Sequence, residues 1–200
     1  KKEFTNTDDK NLRGEYTMQA YDYFIKAYEL DNLPNAKGKI KPKYTRPITS
    51  RMKSYTSELF NYGVKMFTEQ NYEEAINAWE RYLDMPYLPF LKDQVQEDSM
   101  YIYATYYTAT AAIIIKDTDK AIKYLEDVKD KYMIDESYQY LSQQYLEKED
   151  TLSYFNTIKD GFDKYPTNAF LLQSLINYYI FFEGGIEDAI EYLDEAIKLN

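Results

Sequence analysis

The side chains that most often do chemistry in proteins are missing from this chain. It has no histidine and no cysteine in 200 residues. That removes the commonest general base and metal ligand, together with thiolate nucleophiles, disulfides and Cys-based metal sites. What remains is carboxylate and phenol chemistry, carried by 34 Asp and Glu and by 24 Tyr. Adjacent acids at Asp8/Asp9 and Glu73/Glu74 invite a glycoside-hydrolysing pair, but acidic pairs on the solvent face of helices are ordinary at a net charge of −10. No phosphate-cradling glycine loop, dinucleotide fingerprint or metal-ligand cluster occurs. The expectation is a protein that is not an enzyme and uses neither metal nor cofactor.

A second kind of chemistry is electrostatic. Lys37, Lys39, Lys41, Lys43, Arg46, Arg51 and Lys53 follow one another with no acid between Asp31 and Glu58. The segment 37–53 is therefore +7, which leaves −17 for the rest of the chain. Lys37, Lys39, Lys41, Lys43 and Arg46 form a candidate anion patch for phospholipid headgroups or acidic glycans. The plainer reading is a solvated connection held against acidic neighbouring helices. Two prolines interrupt the run, so it is expected to be a loop. The overall acidity argues against nucleic acid as the partner, and no apolar run approaches the ~18 residues that cross a bilayer. The chain opens at Lys1 rather than Met, as a mature or trimmed product would.

The elements that must carry these residues are helices in a recurring phase. In "NYEEAINAWERYLDMP", Ala75, Trp79 and Tyr82 share one helical face, Asn71 is placed to cap it and Pro86 to end it. The same phase returns in "TDKAIKYLEDVKDKY" (Ala121, Leu125), in "YQYLSQQYLEKEDTLSYFNTIKDGFDKYP" (Leu141, Tyr145, Gly161, Pro166) and in "IEDAIEYLDEAIKLN" (Ala189, Leu193, Ala196). Cap-type residues Asn71, Asp117, Asp150 and Gly185 precede the second helix of each pair. This pattern resembles the tetratricopeptide repeat, with Gly63 at position 8, Ala75 at 20 and Trp79 at 24. The resemblance implies an all-α, right-handed superhelical solenoid of helix-turn-helix repeats, each burying its apolar face against the next.

In this register the chain is a single domain with a partial repeat at 8–33 and the basic connection at 34–53. Repeats follow at about 56–86, 102–134, 135–168 and 170–200, with an apolar insert at 86–98. "YTMQAYDYFIKAYELD" looks like the second helix of the partial repeat, with Ala20, Phe24 and Ala27 in place. The pair Gly184-Gly185 falls at the turn of the last repeat, where left-handed backbone explains it.

In tetratricopeptide proteins, positions 2, 5, 9 and 12 of each first helix line a concave groove. Here they give Ser57, Phe60, Val64 and Phe67, then Tyr103, Tyr106, Thr110 and Ile113, then Glu136, Gln139, Gln143 and Leu146, and finally Leu171, Ser174, Tyr178 and Phe181. Such a groove is aromatic at both ends, polar in the middle and free of Lys and Arg. Family members that grip a C-terminal carboxylate use Lys and Asn there, so chaperone-tail binding is not expected. If the face is a working surface, Tyr103, Tyr106 and Tyr178 are expected to be partly exposed; rings that only pack between repeats would be buried.

"YDYFIKAYELDNLPNAKGKIKPKY", "YQYLSQQYLEKEDT" and "FLLQSLINYYI" are similar to exported tetratricopeptide proteins of unknown function from Bacteroides-type bacteria. That resemblance implies a periplasmic or cell-envelope location. The functional expectation is a scaffold that holds a protein or peptide on its concave face. A glycan-binding module that uses the groove tyrosines as stacking platforms is the alternative.

Overall fold

The computed structural model describes residues 10–132 and 135–183, together with 185, 187, 190 and 194. The expected positions Asp8, Asp9, Gly184, Ala189, Leu193 and Ala196 lie outside the described residues. Helices α1 (Lys10–Asp31), α2 (Thr45–Lys53), α3 (Thr56–Thr68), α4 (Tyr72–Asp84) and α5 (Ser99–Ile114) are followed by α6 (Thr118–Tyr132), α7 (Asp135–Glu147), α8 (Thr151–Lys164) and α9 (Ala169–Tyr178). A 3-10 turn, Met85–Tyr87, follows α4, and a π-helical turn, Tyr179–Glu183, follows α9. The chain divides into two compact units, Lys1–Ala111 and Ala112–Asn200.

One turn geometry joins the helices of three successive pairs. Gln70, Lys116 and Glu149 all have left-handed backbone, with φ of 62°, 60° and 58°. Each N–H bonds back to the carbonyl three residues earlier, on Phe67, Ile113 and Leu146, at 2.9–3.0 Å. The next residue bonds back five positions, from Asn71 to Met66, Asp117 to Ala112 and Asp150 to Tyr145, at 2.8–2.9 Å. These are Schellman closures of the first helix. Asn71, Asp117 and Asp150 then cap the second helix, their side-chain oxygens accepting from the N–H of Glu74 (3.4 Å), Lys120 (3.1 Å) and Ser153 (3.0 Å). So one residue ends the first helix and starts the second, which fixes the antiparallel return. A non-glycine residue at φ near 60° is strained, and all three side chains are exposed. Replacing any one of them by glycine is expected to raise stability by about 0.5–1 kcal/mol; an unchanged or lower melting temperature would contradict this.

In the first unit, the close approach of α3 and α4 is set at Gly63. A Cβ there would lie 2.4 Å from Nε1 of Trp79, so only glycine lets the buried indole lie across the backbone of α3. The indole N–H donates to the carbonyl of Phe60 at 3.2 Å, and Ala75 and Ala78 bury fully beside it. α1 joins this pair through Gly14, whose Cβ would meet the ring of Tyr62, and through buried Thr17, Met18 and Tyr21. Arg81 of α4 grips Asp22 of α1 with two hydrogen bonds, at 3.0 and 3.1 Å. The buried face of α1 therefore runs through positions 14, 17, 18 and 21. Ala20 and Ala27, expected at the tight contacts, are only half-buried, which corrects the register read for the partial repeat.

The basic connection also differs from expectation. Residues 37–44 are irregular, but α2 is a helix that buries Ile48 and Met52. Pro47 does not break it, because it sits in the first turn, where its missing N–H would have no intrahelical partner. Asp31, at the end of α1, anchors the crossing: its carboxylate accepts from the N–H of Lys43 (2.8 Å), Tyr44 (2.8 Å) and Thr45 (2.7 Å) and from the Thr45 hydroxyl (2.9 Å). Desolvation opposes the charge on Asp31, but these donors outweigh it and hold the carboxyl below its ordinary value. The connection is thus tied down through its backbone. Among the described residues its cations make no ion pair with an acidic neighbour.

The insert folds back onto this unit. Phe90 and Leu91 are buried, the Phe90 ring lies 4.4 Å from that of Tyr28, and the Thr49 hydroxyl donates to the Phe90 carbonyl at 3.1 Å. Phe90 is thus core, packed against α1 and α2, whereas Tyr87 at the start of the insert is 64% exposed.

The second unit is built around Tyr138, Tyr154, Ile158, Phe162, Leu171, Leu175 and Tyr178. Gly161 is the close-contact point, with Tyr138 2.8 Å from where its Cβ would stand. The hydroxyl of this buried tyrosine is satisfied by Lys164, which donates to it at 2.8 Å. Asn168 caps α9, accepting from the N–H of Phe170 (3.0 Å) and Leu171 (3.2 Å).

Candidate interaction face

α5 is uncharged along its whole length, SMYIYATYYTATAAII. Its inner side packs through Tyr101, Ala104, Thr105, Thr108, Ala109 and Ala111, all buried. Thr105 and Thr108 close their hydroxyls onto the carbonyls one turn back, at 2.8 and 2.7 Å, so they add no unsatisfied polar group to that seam. What is left outside is apolar too. Met100, Tyr103 and Tyr107, at the i, i+3, i+7 spacing of one helix face, are 39%, 51% and 39% exposed.

The structure joins some of the expected groove residues to this stripe. Phe67 of α3 meets Tyr107 at 5.6 Å, and Tyr107 stacks on Trp79 at 5.9 Å and meets Tyr106 edge-on at 5.8 Å. One turn back from Phe67, on the same face of α3, Val64 is 41% exposed; one turn back from Tyr107 stands Tyr103. Thr110 is half-buried, its hydroxyl bonded to the Tyr106 carbonyl at 3.0 Å. Phe60 is turned inward, 5.5 Å from the ring of Tyr82, and serves packing. Tyr107 was outside the set of expected groove positions; its signal was the absence of charge along the whole helix rather than the repeat register.

In the second unit the expected set divides. Gln139 is half-buried and Gln143 exposed on α7. Ser174 and Tyr178 are buried. Tyr178 lies 4.4 Å from Phe155 and 5.4 Å from Phe182, stacked on both. Its expected partial exposure is thus corrected: α8 supplies a ring that covers it. Phe181, on the π-helical turn, is 77% exposed.

The other potentially chemical residues have structural places. Glu73 and Glu74 lie in the first turn of α4, where acids complement the helix dipole. Glu74 accepts from the hydroxyl of Tyr62 at 3.5 Å; burial, reinforced by that carboxylate, pushes the phenol up to about 12. The phenol of Tyr145 is also raised, by burial and by its 2.8 Å hydrogen bond to Glu126. Among the described residues no group of three acids, His or Cys converges as a metal site. No described helix is long and apolar enough to cross a membrane.

Helix pairs closed by one repeated turn, with a small residue at each close contact, decide the fold. It is that of tetratricopeptide helix-turn-helix repeats. Solved structures agree. The chain is similar to MamA, a tetratricopeptide protein, in a crystal structure with TM-score 0.54 and 15% identity that covers 77% of this chain and 83% of that one. A second MamA structure matches at TM-score 0.51 and 15% identity over 92% and 90% of the two chains. MamA from residue 41 to the end, from Desulfovibrio magneticus RS-1, matches at TM-score 0.50 and 14% identity over 90% and 94%. At such identities the likeness concerns the fold alone. No family model and no curated protein matches the sequence.

Proposed function

We propose that this protein is a non-catalytic scaffold that docks a protein or peptide partner on the stripe formed by Met100, Tyr103 and Tyr107 of α5 with Val64 and Phe67 of α3. The observation that carries the reading is the run of three exposed apolar side chains on a helix without a single charge, in a chain of net charge −10. Aromatic and Met side chains are the types enriched at interface cores, and charged residues the types depleted there. An apolar helix face or an extended apolar segment fits such a stripe.

The test is site-specific photo-crosslinking from position 103 in native cells, with position 23 as control, since Tyr23 on α1 is also exposed. One discrete protein adduct from 103 and none from 23 is the expected result. Retention on immobilised glycans that is lost in Tyr103→Ala, with no protein adduct, would replace the scaffold with the glycan-binding reading. The reading also sets the protein in the periplasm or cell envelope, as the similarity to exported proteins implies; recovery with cytosolic markers on fractionation contradicts that placement.

A further inference from the structure

A hollow of about 710 Å³ opens in the first unit between α2 and the insert, lined by Pro42, Thr45, Arg46, Thr49, Ser50, Lys53, Phe90 and Gln94. Arg46, Thr49, Ser50 and Lys53 stand at i, i+3, i+4 and i+7, so one face of α2 supplies two cations and two hydroxyls. At 1.5 Å per residue the two cations are rooted about 10 Å apart along the helix, within reach of one ligand from both sides.

Among the described residues the acids nearest in sequence form no ion pair with them. Asp31 accepts from three backbone N–H groups and the Thr45 hydroxyl, and Glu58 pairs with Arg13. Glu97 accepts from Tyr87 and Asp98 from Tyr82, and Asp93 does not line the hollow. Among the described residues neither Arg46 nor Lys53 has an ion-pair partner. By contrast, Arg13, Lys65, Arg81, Lys129, Lys148 and Lys164 are all paired. Lys37, Lys39, Lys41 and Lys43 are exposed on the irregular segment and do not line the hollow. Of the expected anion patch only Arg46 reaches it, and Lys53, from the end of the same run, joins it.

We propose that this hollow binds a phosphoryl group, with Arg46 and Lys53 taking its charge and Ser50 and Gln94 donating hydrogen bonds. A phosphoryl dianion offers the several acceptors that a forked guanidinium, an ammonium, a hydroxyl and an amide can share. The hollow lies in the one strongly positive segment of an otherwise acidic chain, which concentrates anions there.

The test is calorimetric titration of the full chain with pyrophosphate at low salt, beside co-sedimentation with vesicles of phosphatidylglycerol and phosphatidylcholine. Arg46→Gln and Lys53→Gln should each weaken pyrophosphate binding about tenfold, the loss of one charge-assisted contact. Ser50→Glu should abolish it, and Lys37→Gln/Lys39→Gln should leave it within about twofold. All these side chains are exposed, and a melting curve matching the parent accompanies each variant; Ser50→Glu removes no contact of the fold. Vesicle binding with the same dependence on Arg46 and Lys53 identifies a lipid headgroup as the source, and binding in solution alone identifies a soluble phosphate ester. No binding of either probe overturns the proposal. So does a loss equal in the Lys37/Lys39 pair and in Arg46→Gln, which is diffuse surface charge.

Discussion

Trp79→Ala is expected to destabilise the first unit by roughly 3–5 kcal/mol, the range for emptying a core site of this size. The indole is almost fully buried, touches Phe67 and Tyr107 and uses its only donor on the Phe60 carbonyl. Removing it opens a cavity where α3, α4 and α5 meet. Its counterpart, Gly63→Ala, is expected to destabilise although alanine is the better helix former. The propensity gain is about 1 kcal/mol. Against it, the new Cβ would stand 2.4 Å from Nε1 and 2.6 Å from Cδ1 of Trp79, a ring held by Phe67, by Tyr107 and by its hydrogen bond. Overpacking of this kind costs about 1–3 kcal/mol, so the clash wins. A Gly63→Ala variant that melts at or above the parent temperature would show that the indole does not lie on the α3 backbone.

Ala121→Trp should be at least as damaging in the second unit. Ala121 opens the second turn of α6, is fully inaccessible and lies one turn past the Asp117 cap. An indole placed there must displace a neighbouring helix, which puts the cost at about 3 kcal/mol or more, the upper end for overpacked cores. Ala75 occupies the equivalent place in α4 and is equally buried, so Ala75→Trp carries the same expectation for the first unit. Chemical denaturation of both variants checks it. A parent-like midpoint in either would break the equivalence of the two positions on which the repeat register rests.

The sequence was most legible where one residue type answers one geometric need. Asn71, Asp117 and Asp150 each accept from the expected first-turn N–H, and Gly63 and Gly161 each admit a ring that a Cβ would exclude. The left-handed residues one position earlier were not legible, because Gln70, Lys116 and Glu149 are not the types that signal positive φ; the closure of the turn imposes it on them. The helix at 45–53 was hidden behind Pro47, which is harmless in a first turn. On the candidate face, periodicity located Val64, Phe67 and Tyr103 but missed Tyr107 and Met100, and it set Tyr178 on the surface where Phe155 covers it. Position within a repeat says which side of a helix a residue occupies. Whether a neighbouring side chain reaches over it depends on packing that no single repeat encodes.

The central claim, that the α5 stripe is the working surface, is tested most directly by measuring affinity and melting on the same variant, Met100→Ala/Tyr103→Ala. Neither side chain is buried, so the melting temperature should stay close to that of the parent. Affinity for the protein crosslinked from position 103 should fall by about 2 kcal/mol or more, roughly thirtyfold, as truncating interface anchors does. Full affinity in a folded double mutant would contradict the claim and move function off this face.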